Sequence, residues 1–323
     1  MRHDDILVVG GSGFVGRHLV AALAARGARV TVPTRRRERA KHLLPLPTVE
    51  VLEADVGRPG ELERLAAGQD AVVNLAGVLH SRRGRRDERG PNDYGPDFAR
   101  VHVELAQAAV RACRAAGVKR LLHMSALGAD PQGPSEYLRS KGIGERAALA
   151  AEDLGVTVFQ PSVIFGPEDS FLNLFARLAR FLPVLALACP EARFQPVYVA
   201  DVAQAFVAAL EARAAHGRRY GLCGPRQYTL RELVQAVCRI TGRRRLIVGL
   251  GDRLSYWQAR MMELLPVKLM TRDNYYSMQV PSVCEGGFPF GIEPAALEAV
   301  APAWLAPAGP HARYPGLRRV ARR

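Results

Sequence analysis

The stretch that decides the fold is DILVVGGSGFVGRHLVAALAARGARVTV, residues 5–32. Its apolar run at 6–9 is typical of a buried strand, and residues 17–26 have the apolar spacing of a helix that stops at Gly27. The residues from 28 onward are typical of a second strand. A strand, a glycine-rich turn, a helix and a strand form the unit that binds dinucleotides. We therefore expect an α/β fold that opens with a nucleotide-binding turn.

The turn itself has glycines at three-residue intervals. Glycine lets the turn close, lets the backbone approach a pyrophosphate, and lets the helix pack against the strand. The N-terminus of the helix would then face the phosphates, where its partial positive charge is favourable. The residues predicted to bind the dinucleotide here are Gly10, Ser12, Gly13, Phe14, Val15 and Gly16.

The end of the second strand indicates which dinucleotide binds. An acidic side chain at this point would hold the ribose 2′-hydroxyl of NAD. The sequence instead reads VPTRRR, and no carboxylate occurs before Glu38. An arginine suits a 2′-phosphate, and Arg35 is the first candidate for that contact. NADP(H) is therefore the predicted cofactor, with NAD(H) as the alternative.

Further strand-like runs at 49–56, 70–77 and 119–129 continue the pattern, and residues 98–118 have the spacing of an amphipathic helix. Strands that alternate with helices of these lengths indicate a doubly wound parallel sheet with right-handed crossovers. The ends of two of these strands would lie beside the cofactor. The residues predicted there are Asp55, Val56, Ala76 and Gly77.

The chain is long enough for a Rossmann-type domain and a smaller lobe. The predicted Rossmann domain comprises residues 1–165 and about 194–225. From about 166 to 193, and again from 226 to 310, the chain is expected to form a C-terminal substrate-side lobe. Residues 311–323 are predicted to be a mobile basic tail.

The composition is strongly basic, with 45 lysines and arginines, 31 acidic residues and a net charge of +14 over 323 residues. Arginine clusters such as 34–42 and 81–89 attract phosphates or anionic lipids, although a biased composition also places arginines on solvated faces. Residues 251–277 mix Trp257 and several methionines with basic residues, so they either line an apolar pocket or lie at a membrane interface. A peripheral membrane contact is predicted ahead of nucleic acid, for which no binding motif occurs.

No apolar run is long enough to span a bilayer, and no signal peptide follows MRHDD. We therefore expect a cytoplasmic protein that contacts the inner face of the membrane peripherally. No metal-binding signature occurs, so no metal site is predicted. The cysteines lack a CxxC pair and are expected to be free, mostly buried thiols. They are Cys113, Cys189, Cys223, Cys238 and Cys284.

The segment SEYLRSKGIGE, residues 135–145, places Tyr137 and Lys141 four residues apart. On a helix this spacing puts both side chains on one face. An unperturbed tyrosine has a pKa of about 10, too high for a good base near neutrality. A nearby ammonium and an oxidised nicotinamide would favour the phenolate. The pair is therefore either a catalytic pair or two surface residues, and the rest of the chain favours a pair that faces the cofactor, whether or not it performs chemistry.

The order of GGSGFVG, EADV, NLAG, MSALGA and YLRSK resembles the short-chain dehydrogenase/reductase superfamily, in its extended or atypical branch. The segments at 137–145, 160–181, 195–205, 224–230 and 271–274 together resemble the NAD(P)H-binding accessory subunit of respiratory complex I and its bacterial relatives. This resemblance runs from about residue 5 to about residue 305. It implies a bound nicotinamide cofactor.

The resemblance also implies roles for particular residues. Tyr137 would be the general acid or base, and Lys141 would hold the nicotinamide ribose and lower the pKa of the phenol. In the superfamily a serine or threonine binds the substrate oxygen, often within an SSS or SST run. Here the run is MSALGA, in which Ser125 is the remaining hydroxyl and the candidate for that contact. Pro161 and Val163 would line the nicotinamide end of the cofactor.

His102 falls where many members of the superfamily have an asparagine that relays protons. A histidine at this place either relays a proton or packs in the interior, and packing is favoured.

Two functions follow from the resemblance. The first is an NADP(H)-dependent oxidoreductase or epimerase for an apolar or quinone-like substrate. The second is a protein that binds NADPH without turnover and assists a respiratory or quinone-biosynthesis membrane complex. A sugar-nucleotide epimerase is a weaker third reading, because the second lobe shows no distinct nucleotide-diphosphate site.

Overall fold

The computed structural model describes residues 3–82, 93–264 and 270–306. Its strands are β1 (Asp5–Val9), β2 (Arg29–Thr34), β3 (Val49–Glu53), β4 (Ala71–Asn74), β5 (Arg120–Met124), β6 (Gly155–Pro161), β7 (Ile164–Phe165), β8 (Val184–Leu187), β9 (Arg193–Phe194), β10 (Val197–Tyr198), β11 (Arg218–Leu222), β12 (Tyr228–Thr229) and β13 (Leu246–Gly249). Its helices are α1 (Phe14–Ala25), α2 (Glu61–Ala66), α3 (Pro96–Phe98), α4 (Leu105–Ala116), α5 (Glu136–Leu149), α6 (Leu172–Phe181), α7 (Val199–Glu211), α8 (Leu230–Ile240), α9 (Asp252–Met262), α10 (Arg272–Ser277), α11 (Leu297–Val300) and α12 (Pro302–Leu305). Over these described ranges, every helix is too short or too polar to cross a bilayer.

Within the described residues, seven strands form one parallel sheet in the order β11-β6-β5-β4-β1-β2-β3. β1 pairs with β2 on one side and with β4 on the other, so the chain winds outward in both directions from the centre. Helices α1 and α7 pack on one face of the sheet, and α2, α4 and α5 pack on the other. The Rossmann-type doubly wound parallel sheet predicted from the sequence is confirmed.

The apolar run of β1 is continuous because both of its faces are covered. Ile6 and Val8 point into the core under α1 and α7, whereas Leu7 and Val9 point into the core under α2 and α4. All four side chains are buried. This is the pattern expected for a parallel strand with helices on both faces.

The lobe has its own apolar core, which α6 and α8 cover. Thr229 caps α8: its Oγ1 accepts a hydrogen bond from the Glu232 N–H at 3.1 Å, and the Glu232 carboxylate accepts one from the Thr229 N–H at 2.7 Å. β8 and β13 form a small parallel pair on the outside of the lobe. The domain boundaries stay a prediction, and the basic tail at 311–323 lies outside the described residues.

The prediction that all cysteines are free is wrong for one pair. Cys223 and Cys284 form a disulfide, with their Cα atoms 6.0 Å apart and 61 positions apart in the chain. Cys223 follows β11, and the segment around Cys284 passes that end of the strand, held by a hydrogen bond from the Cys284 N–H to the Gln195 side chain at 3.0 Å. A spacing of 61 residues carries no signal of this kind. Free thiols remain at Cys113, Cys189 and Cys238.

Candidate active site

A cleft of about 1550 Å³ runs along the carboxyl ends of the central strands, between the glycine turn and the lobe. Pockets for drug-sized ligands have volumes of about 300–1,000 Å³, so this cleft has room for a dinucleotide and a second molecule. The structure brings all the predicted site residues to its walls. They are Gly10, Ser12, Gly13, Phe14, Val15, Gly16, Arg35, Asp55, Val56, Ala76, Gly77, Ser125, Tyr137, Lys141, Pro161 and Val163.

The glycine turn forms one end of the cleft, and its geometry excludes larger residues. Gly10 has φ +84°, a left-handed conformation that glycine adopts without strain. A Cβ on Gly16 would lie 2.3 Å from the Gly10 carbonyl oxygen, so α1 can pack against the turn only without a side chain there. Gly13 is the N-cap of α1 and brings no side chain to its first N–H groups. These groups are therefore suited to bind a phosphate.

Arginines surround the cleft at the end of β2. Arg35, Arg36 and Arg39 all line it and are exposed, so their guanidinium groups are available to an anionic ligand. The Thr34 hydroxyl donates to the Arg36 carbonyl at 3.2 Å and so fixes the turn that carries them. Arg39 was missed by the sequence reasoning, which stopped at the first arginines. The RRRER run could have indicated it, because a short turn brings the ends of such a run together.

The neighbouring strand ends are shaped by short side-chain turns. The Asp55 carboxylate accepts a hydrogen bond from the Gly57 N–H at 3.1 Å. The Asn74 side chain, at the end of β4, accepts one from the Ala76 N–H at 3.1 Å. These bonds hold the backbone after β3 and β4 against the cleft, where the adenosine half of a dinucleotide would lie in this fold.

The N-terminus of α5 carries Tyr137 and is capped twice. The Ser135 hydroxyl accepts from the Leu138 N–H at 3.1 Å, as an N-cap does. The Asp273 carboxylate, from α10 in the lobe, accepts from the N–H groups of Glu136 at 2.6 Å and Tyr137 at 3.2 Å. Burial, with a smaller contribution from the Glu136 charge, raises the pKa of Asp273 to about 6. The Asp273 carboxylate thus holds the start of α5, a contact that the sequence analysis missed.

Lys141 lies one turn along α5 and is buried. Its Nζ donates to the Met124 carbonyl at 3.1 Å, and a Cβ on Gly77 would lie 3.4 Å from that Nζ. Burial lowers the pKa of Lys141 to about 8. The ammonium is thus held at the floor of the cleft between the ends of β4 and β5, where a cofactor ribose could reach it.

The pKa of Tyr137 moves opposite to the expected direction. The sequence reasoning expected Lys141 to lower it, but burial, followed by the charge of Asp273, raises it to about 12. The ring is only partly buried by area, yet protein surrounds it closely enough to disfavour the phenolate. The phenol is therefore protonated near neutral pH and is a weaker acid than a free tyrosine.

The Ser125 hydroxyl is buried at the end of β5 and, among the described residues, has no hydrogen-bond partner. Leaving a buried hydroxyl unpaired is costly, and because Ser125 also lines the cleft, its hydroxyl is suited to pair with an atom of a bound ligand. The following residues, Ala126 and Leu127, also line the cleft. Ser125 is therefore the hydroxyl of the MSALGA run that is available to a substrate oxygen.

His102 packs in the interior rather than facing the cleft as a proton relay. It lies in a π-helical turn (Ala99–Glu104) between α3 and α4, stacked on Phe98. Its Nε2 accepts from the Val78 N–H at 3.1 Å, and its Nδ1 lies 2.9 Å from the Ser140 hydroxyl. Burial, with the charge of Lys141, lowers its pKa to about 2, so the ring is neutral.

A second buried histidine lies two residues before Ser125 in the chain. His123 in β5 has its Nδ1 3.3 Å from the side-chain amide nitrogen of Asn74. Burial lowers its pKa to about 3. The two histidines thus link neighbouring elements of the Rossmann-type fold while carrying no charge near neutral pH.

The wall on the side of the lobe is apolar, in contrast to the basic end. The side chains that form it come from α6, β8, α9 and the segment around α10. They include Phe171, Leu174, Phe175, Leu178, Leu185, Met262, Met270 and Met278. This wall suits a substrate with a long apolar part better than it suits a sugar.

The residues of the cleft fit a dinucleotide: a glycine cradle without side chains, arginines at one end and an unpaired buried hydroxyl at the other. Among the described residues, no group of three or more His, Cys, Asp or Glu side chains could hold a metal ion.

Comparison with known proteins supports this description. Residues 6–223 match the model of the NAD dependent epimerase/dehydratase family. The chain is 30% identical over 302 residues to mouse NADH dehydrogenase (ubiquinone) 1 alpha subcomplex subunit 9, mitochondrial, with 90% of this chain and 77% of the relative covered. It is 33% identical over 254 residues to a ceramide reductase from Caulobacter vibrioides, with 76% of this chain and 74% of the relative covered.

A solved structure has the same fold. A nucleoside-diphosphate-sugar epimerase from Staphylococcus aureus superposes with a TM-score of 0.70, over 91% of this chain and 98% of that one. The two sequences are 16% identical, so the likeness concerns the fold alone.

Proposed function

We propose, from the premise that the chain belongs to the NAD dependent epimerase/dehydratase family, that it is an NADP(H)-dependent oxidoreductase for an apolar carbonyl or alcohol. The observation that carries this proposal is the unpaired, buried Ser125 hydroxyl on the wall of the cleft that Tyr137 and Lys141 also line. A bound nicotinamide supplies or accepts a hydride. The side chains of this protein would bind the cofactor, orient the substrate and move one proton.

Each residue has a role that its surroundings support. The Ser125 hydroxyl would donate a hydrogen bond to the substrate oxygen, which would end its unpaired state. Tyr137, which burial keeps protonated, would donate the proton to that oxygen in the reductive direction, and the positive charge of Lys141 one turn away would favour the phenolate that this leaves. Lys141, held by the Met124 carbonyl, would bind the nicotinamide ribose. The first turn of α1 would bind the pyrophosphate through its N–H groups.

The preference for NADP(H) rests on the arginines beside β2. Arg35, Arg36 and Arg39 present positive charge where the adenosine ribose of a dinucleotide would lie, and no carboxylate precedes Glu38 in that turn. A 2′-phosphate would gain charge-assisted hydrogen bonds from them.

The substrate class follows from the apolar wall of the lobe. A quinone-like or lipid-like molecule could place its ring or carbonyl at Ser125 and its apolar chain along the phenylalanines and methionines. The relative named ceramide reductase supports a lipid-like carbonyl substrate. A sugar nucleotide finds less support, because the wall that it would contact is apolar.

The second candidate is a protein that holds NADPH without turnover. The relatives named as NADH dehydrogenase subunits support it, and so does the MSALGA run with its single hydroxyl. It would use the same glycine turn and arginines but leave Tyr137 without a chemical role.

A titration followed by a single-turnover measurement tests both candidates. We expect NADPH to bind at least tenfold more tightly than NADH, and the Arg35→Ala/Arg39→Ala variant to lose that difference. NADPH-loaded protein is then mixed with a short-tailed quinone or a long-chain ketone, and nicotinamide fluorescence is followed. Tyr137→Phe and Ser125→Ala should slow oxidation at least a hundredfold, whereas Tyr220→Phe, away from the cleft, should not. Tight NADPH binding without oxidation by any probe would favour the second candidate.

A further inference from the structure

The outer face of the lobe exposes apolar side chains on the β8–β13 pair. Strand residues alternate between faces. In β8, Leu185 and Leu187 are buried, whereas Val184 and Ala186 face outward. Val184 is 45% exposed and its register partner Leu246 is 63% exposed. Val248, beside Ala186, is 42% exposed. The pair therefore presents an apolar surface on the side where a solvated sheet normally carries polar residues.

Helix α9 extends this surface. Leu254, Trp257 and Met261 lie three and four residues apart, so they form one stripe, and they are 60%, 56% and 62% exposed. On the opposite side of α9, Ser255 and Ala259 are buried. A hydrogen bond of 3.0 Å from the Gln258 side chain to the Ala186 carbonyl holds α9 beside β8. The stripe thus continues the exposed face of β8.

The end of α6 completes the surface. Phe181 is 76% exposed, and the chain passes from it through two residues directly into β8. Of the eleven large hydrophobic side chains that are exposed among the described residues, nine belong to these four elements and their ends. We call these nine the apolar face: Phe181, Leu182, Val184, Leu246, Val248, Leu254, Trp257, Met261 and Leu264. Such clustering indicates a binding surface, because single exposed apolar residues are normally scattered.

Arginines lie among the apolar side chains. The guanidinium of Arg180 lies 5.6 Å from the centre of the Phe181 ring, and that of Arg260 lies 5.2 Å from the Trp257 ring. Arg244 and Arg253 are exposed beside them. The acidic residues of this region are engaged: Asp252 accepts from the Tyr275 hydroxyl at 2.6 Å, and Glu263 pairs with Arg272 at 2.7 Å. The face is therefore apolar and positively charged at once.

We propose that the apolar face docks the protein on a bilayer that contains anionic lipids. Its aliphatic and aromatic side chains would enter the boundary between head groups and acyl chains, and its arginines would reach the phosphates. The net charge of +14 favours this partner over a neutral membrane. A second copy of the chain would bring its own net positive charge toward this basic face, which disfavours self-association there.

The cleft opens toward the same face. Leu182, Val184, Ala186 and Gln258 line the cleft and also form or adjoin the apolar face. On the proposed function, an apolar substrate would then pass from the bilayer into the cleft without crossing water. This second step rests on the proposed function, whereas the docking itself does not.

Vesicle binding by the full-length protein tests the docking. We expect it to sediment with phosphatidylglycerol–phosphatidylcholine vesicles at 50 mM salt, and its apparent Kd to rise at least tenfold with phosphatidylcholine alone or at 500 mM salt. Brominated lipids should quench Trp257, since the other tryptophan, Trp304, packs inside the lobe. The Leu254→Ser/Trp257→Ser variant should bind vesicles at least tenfold more weakly, whereas Leu44→Ser, exposed elsewhere, should bind as the wild type does.

Sedimentation velocity and NADPH binding by the same variants separate the outcomes. Equal vesicle binding by the wild type and the Leu254→Ser/Trp257→Ser variant would overturn the proposal, as would the absence of binding to anionic vesicles. Self-association that this variant abolishes, without vesicle binding by the wild type, would assign the face to a second copy instead. If the wild-type protein does not bind NADPH, the proposed function is wrong, but the conclusion from vesicle binding is unaffected.

Discussion

The Nδ1 atom of His102 lies 2.9 Å from the hydroxyl of Ser140, and this contact fixes the tautomer of the ring. The Ser140 hydroxyl donates its proton to the Tyr137 carbonyl at 2.9 Å, so it must accept from Nδ1–H. Nε2 is then free to accept from the Val78 N–H. One neutral imidazole thereby joins helix α5, which carries Tyr137, to the loop after β4.

We expect His102 and His123 to remain neutral well below neutral pH. Their pKa values are lowered to about 2 and about 3, chiefly by burial. In a pH titration followed by NMR, their ring signals should stay constant between pH 8 and pH 5. His42 is exposed and serves as a comparison: burial lowers its pKa from the ordinary value, and its ring signals should shift with pH in the same titration. A midpoint near 6.5 for His102 would contradict the assigned hydrogen bonds.

The same burial makes the fold less stable in acid. Below pH 6.5 the two histidines take up protons when unfolded but not when folded, so the free energy of unfolding falls as pH falls. Each contributes up to about 1.4 kcal/mol per pH unit between pH 6.5 and its folded pKa. Urea unfolding at pH 7.5, 6.5 and 5.5 measures this. A His102→Asn variant should show a smaller loss between pH 6.5 and 5.5 than the wild type.

Removal of the Asp273 carboxylate should loosen the start of α5. Asp273→Ala leaves the N–H groups of Glu136 and Tyr137 without their acceptor. We expect a loss of about 1–2 kcal/mol in the free energy of unfolding, the range of a lost helix cap. Asp273→Asn keeps one acceptor oxygen and should lose less. NADPH oxidation should fall in the order wild type, Asn, Ala, and equal rates in all three would show that Asp273 does not position Tyr137.

A methyl group at Gly16 should abolish dinucleotide binding. In Gly16→Ala the new Cβ would lie 2.3 Å from the Gly10 carbonyl oxygen, so the turn or α1 must shift. We expect NADPH affinity to fall at least a hundredfold, measured by quenching of protein fluorescence. Gly287→Ala is the matched control, because its Cβ would meet no atom within 4 Å. Wild-type affinity in Gly16→Ala would argue against this turn as the cofactor site.

The disulfide should be detectable by alkylation and by stability. Under denaturing, non-reducing conditions, iodoacetamide should add three groups, at the three free cysteines, and five after reduction. Closing a loop of 61 residues stabilises a fold by about 4 kcal/mol in the chain-entropy treatment. Urea unfolding with and without dithiothreitol should show a difference of this size. Cys223→Ser/Cys284→Ser should be insensitive to the reductant.

The sequence predicted the features that depend on neighbouring residues. The glycine turn, the order of strands and helices, and the Tyr137–Lys141 spacing are local patterns, and the sheet confirms the fold they indicated. The resemblance to the short-chain dehydrogenase/reductases and to the complex I accessory subunit is confirmed by the family match and the relatives. Local spacing is enough here because each motif's geometry is set within one turn or one βαβ unit.

The features that the sequence did not reveal depend on distant partners. Asp273 reaches the N-terminus of α5 across more than 130 residues, and Cys223 finds Cys284 across 61. The direction of the Tyr137 pKa depends on how closely protein surrounds the ring, which no spacing shows. The clustering of the apolar face likewise depends on α6, β8, β13 and α9 meeting on one side of the lobe.

The cap from Asp273 also has a consequence for the timing of synthesis. Tyr137 precedes its capping carboxylate by 136 positions, so the ribosome has to add all of these before the active-site helix can be completed. At about 5–20 residues per second this takes roughly 7–27 s. A nascent chain would therefore possess the glycine turn well before α5 gains its second cap. A chain whose translation is arrested within that interval can assemble the first strands, but the helix that carries Tyr137 has only the Ser135 cap.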